Sequence, residues 1–128
     1  MSHRFPLRVY YEDTDMGGIV YHANYLRYIE RARSDWVRRL GSDQNAMRAA
    51  GLVFVVRRIE ADYLATAKLD DELVVETAVQ RLSPARLVLD QVVLRGETPV
   101  FRAVVTVVCM SAAGQPVRLP AEIRASLT

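Results

Sequence analysis

Three carboxylates fall within four positions, Glu12, Asp13 and Asp15, and Gly17-Gly18 follow at once. This is the densest concentration of reactive side chains in the chain. Such a segment can make an anion site with its own base. Glycines lack a Cβ and let the backbone approach a ligand closely. The free N–H groups at a helix start, with the positive end of the helix dipole, favour developing negative charge. Aimed at a carbonyl oxygen, such donors form an oxyanion hole, and losing one typically costs ~3 kcal/mol of transition-state stabilisation. The same residues can instead cap a helix and shape a turn. On residue chemistry alone the turn-shaping reading is the stronger of the two.

The elements around this loop must position it. Leu7 to Glu12 alternates as an extended segment, with Val9 and Tyr11 on one face. After the loop the period becomes helical, and Tyr25, Ile29, Ala32, Trp36 and Leu40 draw one apolar stripe. Arg31 and Asp35 stand as an i,i+4 pair on another face. A helix from about His22 to Leu40 would be roughly 28 Å long. Gly41 is placed to end it as a C′ residue. Ser42 reads as the N-cap of a short helix through Ala50, closed by Gly51. Four strands follow: Leu52 to Tyr63, Glu72 to Leu82, Arg86 to Arg95, and Val100 to Met110. Gly96-Glu97-Thr98-Pro99 joins the last two as a hairpin. One amphipathic helix facing a large antiparallel sheet is an α+β layer architecture. The apolar run Ala103 to Val108 predicts burial on both sheet faces, one under the helix and one against another subunit.

Composition narrows the function classes. The chain has 128 residues, enough for one domain with one core, and no linker or repeat divides it, so residues 1–128 are expected to form a single domain. No apolar run reaches the ~18 residues of a membrane span, and the first residues lack the apolar stretch of a signal peptide. A lone Cys109 cannot form an internal disulfide, which fits a cytoplasmic location. The formal charge is +2, with Lys68 the only lysine among 17 basic residues. Arginine binds phosphate well, but no basic block or basic-aromatic repeat supports nucleic-acid binding. There is no G-x-S-x-G, and Cys109 sits in an apolar strand where thiols are inert. Two histidines and one cysteine are scattered rather than spaced as metal ligands.

Arg8-Val9-Tyr10-Tyr11-Glu12-Asp13-Thr14-Asp15, then Gly17-Gly18-Ile19-Val20-Tyr21-His22-Ala23-Asn24-Tyr25, resembles the active-site segment of the 4-hydroxybenzoyl-CoA thioesterase family. It is more similar still to the YbgC-type, Tol–Pal-associated acyl-CoA thioesterases. Glu30-Arg31-Ala32-Arg33, Phe54-Val55-Val56-Arg57-Arg58 and Ala67-Lys68-Leu69-Asp70-Asp71 also match that subgroup. The resemblance implies a hot-dog fold, a five-stranded antiparallel sheet wrapped around one long helix. It implies a homodimer, and a tetramer as a dimer of dimers. It further implies hydrolysis of acyl-CoA or acyl-carrier-protein thioesters, with CoA as part of the substrate and no separate cofactor.

By the same resemblance Asp15 is the catalytic carboxylate, acting as general base or as nucleophile. The backbone N–H of His22 polarises the carbonyl, with Val20 and Tyr21 holding the turn. The His22 side chain carries less weight, and Asp13 reads as a turn residue. Tyr11, Gly18, Phe54 and Val55 are candidates to line the acyl site, the last two from a partner subunit. Arg57, Arg58, Arg86 and Arg118 are candidates for the CoA phosphates, and Glu60 and Asp62 read as solvated strand residues. Two other readings compete. A non-catalytic hot-dog module could bind acyl carrier protein or lipid-synthesis enzymes, but would have no need of Asp15. An acyl-thioester hydratase leans on a different His/Asp arrangement that is not found here.

Overall fold

Alternation fixes the sheet. In the computed structural model, which describes residues 2–40 and 44–127, β1 (His3–Arg8) turns Phe5 and Leu7 inward and Arg4, Pro6 and Arg8 outward. The first strand thus lies earlier than the Leu7–Glu12 segment expected from sequence. Pro6 explains how it hid: proline discourages a strand reading, yet it is tolerated here because β1 is an edge that pairs only with β3. Gly41 and Ser42, read as helix caps, lie outside the described residues.

After a single 3-10 turn (Tyr11–Asp13) and a loop comes α1 (Asn24–Arg39), then the short α2 (Gln44–Ala49). Four long strands follow, β2 (Leu52–Tyr63), β3 (Glu72–Leu82), β4 (Arg86–Arg95) and β5 (Thr98–Ser111). The order across the sheet is β1-β3-β4-β5-β2, antiparallel throughout. This is the five-stranded sheet expected, extended by the two-residue β6 (Pro116–Val117) alongside β5. A terminal helix, α3 (Ala121–Leu127), follows and buries Ile123. Neither β6 nor α3 carries enough periodicity to be read from sequence.

The strands shift register at Val56/Arg58, Val79/Arg81 and Val93/Leu94. Extra residues at such points bend a sheet and raise its twist, and the curved face receives α1. Tyr25, Tyr28, Ile29, Ala32 and Trp36 are the buried stripe of the helix. They meet Leu73 and Val75 of β3, Leu87, Leu89 and Val93 of β4, and Phe101, Ala103, Val105, Val107 and Cys109 of β5 in one core. Val104, Val108, Val88 and Val92, on the other sheet face, are half-buried in the lone chain.

A polar bridge crosses this core. Gln91 is fully buried; its amide N–H groups donate to the Ile29 carbonyl (3.0 Å) and Thr77 Oγ1 (2.9 Å). Its Oε1 accepts from the Arg33 guanidinium at 2.9 Å. Both ends of the amide are therefore spent, as a buried amide requires. Burial lowers the pKa of Arg33 from its ordinary value, and Glu30 partly offsets that. Among the described residues no helix is long and apolar enough to cross a membrane.

Candidate active site

The loop from Thr14 to Val20 is a miniature hairpin. Thr14 and Val20 bridge, the Asp15 N–H donates to the Ile19 carbonyl (3.0 Å), and the Gly18 N–H to the Asp15 carbonyl (3.0 Å). Gly18 sits at φ +79°, a conformation that favours glycine. The sequence reading runs Gly17-Gly18 into the helix; the structure places them at the hairpin tip, ahead of a helix that starts only at Asn24. The second arm is braced from outside, because Val20 N–H donates to the Ala67 carbonyl (2.8 Å) and Ile19 bridges Lys68.

Asp15 is exposed, and its Oδ1 accepts the Gly17 N–H at 2.8 Å. A Cβ on Gly17 would lie 3.1 Å from that oxygen. The loop thus presents a carboxylate to solvent with one oxygen fixed by a backbone donor.

Asp13 does something different. It is 4% exposed, and its Oδ2 accepts the Tyr10 N–H (2.8 Å) while Oδ1 accepts from Asn24 Nδ2 (2.7 Å). The Asp13 carbonyl takes the Tyr21 N–H at 2.8 Å. Burial, and then the charge of Asp13, push the Tyr28 phenol well above its ordinary value. Neither aspartate caps α1. Its N-cap is Ala23, which makes no side-chain cap; Asn24 N–H and Leu26 N–H turn back to the Tyr21 and Ala23 carbonyls instead (2.8 and 3.2 Å).

His22 lies just before that start. Tyr21 N–H is spent on Asp13 and Asn24 N–H on the Tyr21 carbonyl (2.8 Å), whereas the His22 N–H makes no hydrogen bond among the described residues. Its carbonyl accepts from the Tyr63 hydroxyl at 2.9 Å. Tyr63, at the far end of β2, also packs edge-on against Tyr25 and Phe101, which stack at 5.0 Å. Sequence reasoning places Tyr63 in its strand but gives it no part in the site. Only the fold brings residue 63 to residue 22. The His22 ring is exposed beside those of Tyr21 and Tyr63.

The other candidates divide. Tyr11 is 82% exposed in the 3-10 turn, not in a strand, so it is no core residue. Val20 is buried and Tyr21 exposed. Phe54 and Val55 line a cavity of about 300 Å³ with Val37, Leu40, Glu30 and Arg33. On the helix side this cavity is lined from Glu30 to Leu40, about 8 to 22 Å along the axis from Tyr25 at about 1.5 Å per residue. Since Tyr63 sits by the start of α1 and Phe54 by its end, α1 runs antiparallel to β2. Of the arginines, Arg86 and Arg118 share the Phe54 end, and Arg57 and Arg58 stand at the middle of β2. Arg86 opens β4 in register with Val108, which in turn pairs with Val55. Arg118 lies next to Leu119, whose N–H donates to the Pro84 carbonyl (2.9 Å). Arg58 is 3.2 Å from Glu60, in an ion pair exposed on both sides. Within one protomer, Phe54 and Val55 thus lie at the opposite end of β2 from Tyr63 and His22.

Known proteins share this arrangement of elements. Residues 9–127 match the thioesterase-like superfamily. The acyl-CoA thioesterase YbgC of Haemophilus influenzae is 43% identical over 124 residues, 95% of this chain and 91% of that protein. The acyl-CoA thioester hydrolase YbgC of Escherichia coli O6:H1 is 43% identical over 108 residues, 84% and 81% of the two chains. A crystal structure of a probable thioesterase from Bartonella henselae superposes with a TM-score of 0.89 at 38% identity, covering 94% of this chain and all of that one.

Proposed function

We propose a substrate class and a mechanism for a chain that belongs to the thioesterase-like superfamily, has its hot-dog fold and is a thioester hydrolase. The substrates we assign are acyl-CoA thioesters, or acyl groups on a carrier protein, cleaved to free acid and thiol. Asp15 is the catalytic carboxylate. It either removes a proton from the attacking water or attacks the carbonyl carbon itself, expelling thiolate and leaving a mixed anhydride for water to open. The His22 N–H receives the developing oxyanion, a donor typically worth ~3 kcal/mol in the transition state. A thiol of pKa about 8.5 leaves as thiolate without a strong general acid, so one carboxylate and one aimed donor suffice.

The observation that carries this reading is an unspent backbone donor just ahead of α1. A backbone donor is held out unused at His22, on the same short stretch of chain that exposes Asp15. An exposed N–H with no partner among the described residues is free to meet a substrate carbonyl, and Asp15 lies seven residues before it in the chain.

The acyl site is completed by a second copy. The outer edge of β2 has no partner strand among the described residues, and antiparallel pairing of two β2 edges around a two-fold axis is the isologous solution. Because α1 runs antiparallel to β2, that axis sets the partner's Phe54 end beside this protomer's Tyr63 end. The cavity lined by Phe54 and Val55 then receives the acyl group, and Arg57, Arg58, Arg86 and Arg118 flank the CoA phosphates. The half-buried valines of the outer face support a further pairing of dimers into a tetramer.

Thiol release from a panel of acyl-CoAs tests the assignment, beside Asp15→Asn. Turnover by the native protein with a loss of at least about a hundredfold in the variant is expected. Equal rates would remove Asp15 from the chemistry, and no turnover on any CoA or carrier-protein thioester would favour the binding module.

A further inference from the structure

Asp13 grips the chain on both sides of His22. Its carbonyl takes the Tyr21 N–H at 2.8 Å and its carboxylate takes Asn24 Nδ2 at 2.7 Å. The second carboxylate oxygen takes the Tyr10 N–H at 2.8 Å, which closes the 3-10 turn two residues ahead of Asp15. Both side chains are buried, at 4% and 3% exposure. From this arrangement we propose that Asp13 and Asn24 are a positioning pair that holds the His22 N–H in register with the Asp15 carboxylate. This rests on the reading of Asp15 and His22 given above.

A turn alone does not explain the pair. Serine or asparagine shapes such turns at the surface without burying a charge. A buried carboxylate is costly unless its lone pairs are used, and here both oxygens are. With its two oxygens aimed separately, an acidic side chain accepts from Tyr10 and Asn24 at once, whereas an amide in the same pose presents NH2 to one of these donors. Asn24 is fixed in turn, as its Oδ1 accepts from Arg27 at 3.3 Å. Residues 21 and 24 are thereby clamped while the donor between them stays unspent. The first turn of α1 and the base of the Asp15 hairpin move as one piece.

The test compares Asp13→Asn, Asn24→Asp and the double exchange Asp13→Asn/Asn24→Asp. Asn24→Asp sets acid against acid, and Asp13→Asn sets donor against donor, at residue 24 itself or, if the Asn24 amide turns over, at Arg27. The exchange restores the bonds to Tyr10 and within the pair, because an amide at position 13 accepts from Tyr10 and donates to a carboxylate at position 24. We expect kcat to fall about tenfold to a hundredfold in each single variant, the scale of an ångström-sized misplacement. KM should change little, and the exchange should return kcat to near native. Affinity for a CoA ketone analogue, whose carbonyl needs the donor, should follow kcat, while affinity for free CoA should not. Single variants that keep native kcat per folded molecule would overturn the proposal. So would a folded exchange variant that stays slow. Should a single variant fail to fold, Asn24→Ala, which leaves Asp13 its Tyr10 bond, replaces it under the same criteria. Failure of the underlying reading is distinct, since Asp15→Asn would then keep its rate. Loss of rate in Asp15→Asn with no effect in this series overturns the pair alone.

Discussion

The Tyr63 hydroxyl donates to the His22 carbonyl at 2.9 Å, so the last residue of β2 fixes the residue that leads into α1. Tyr63 is 51% exposed, and its ring packs against Tyr25 and Phe101, so the ring serves the core while the hydroxyl serves the turn. Tyr63→Phe separates the two. One hydrogen bond is worth about 1 kcal/mol, or roughly a fivefold change in an equilibrium. We expect kcat to fall several-fold with KM nearly unchanged and the thermal midpoint lowered by only a few degrees. Steady-state kinetics with a melting curve checks this. An unchanged kcat would show that the bond is idle during turnover.

The glycines at the hairpin tip predict opposite outcomes. Gly18→Ala meets no atom within 4 Å but must hold φ at +79°. That costs about 1 kcal/mol, seen as a lower midpoint and a smaller effect on kcat. Gly17 lacks a positive φ, but its added Cβ would press on Asp15 Oδ1 at 3.1 Å. Gly17→Ala should therefore keep the midpoint and lose kcat, on the order of tenfold for a displaced catalytic group. Measured side by side, a larger kcat loss in Gly18→Ala would contradict the role given to the Asp15–Gly17 bond.

Two phenols make stability depend on pH at the alkaline end. Tyr25 and Tyr28 are held above the ordinary value of 10.0, by burial first in both, and for Tyr28 by the Asp13 charge next. A raised folded pKa means the native state keeps a proton that the unfolded state has lost. The contribution is whole below the unfolded value and is lost as pH rises through the folded one. Denaturant midpoints should therefore drop above about pH 10, and Tyr28→Phe should flatten that limb. Absorbance titration should show both phenols ionising only as the protein unfolds. Their ionisation in the native state near the ordinary value would refute the burial account.

Local pattern exposes most of this architecture, and tertiary contact supplies what pattern leaves out. The α1 stripe and β2 to β4 are legible because helix period and strand alternation are properties of neighbours in sequence. β1 is misplaced because Pro6 masks a strand that survives only at a sheet edge. Asp15 is legible as a candidate, since its loop is chemically unusual. Tyr63, Asn24 and Gln91 are not, because each acts on a residue far away in the chain, at positions 22, 13 and 29. No local period encodes such a bond. The reading of Asp13 and Asp15 as helix caps fails for the same reason: Asp13 reaches the side chain of Asn24, not the helix N–H groups.

Completion of the site by a second copy can be read from mixed protomers. If Phe54 lines the acyl cavity beside the partner's Asp15, then Asp15→Asn and Phe54→Asp each disable every site of their own homodimer. Mixing them allows heterodimers to form. One site of each heterodimer then carries both substitutions, and the other carries native Asp15 with native Phe54. With free exchange at equal amounts, half the dimers are mixed and half of their sites are intact, about a quarter of native activity for a two-fold assembly. Phe54 is half-buried and packs against the core, so a melting curve must first show Phe54→Asp to be folded. Recovery after co-refolding places the two residues in one site from two chains. If Phe54→Asp alone is already active, or if the mixture stays at the sum of its parts while heterodimers are present, the cavity is not the partner's contribution. The acyl site must then lie within a single protomer.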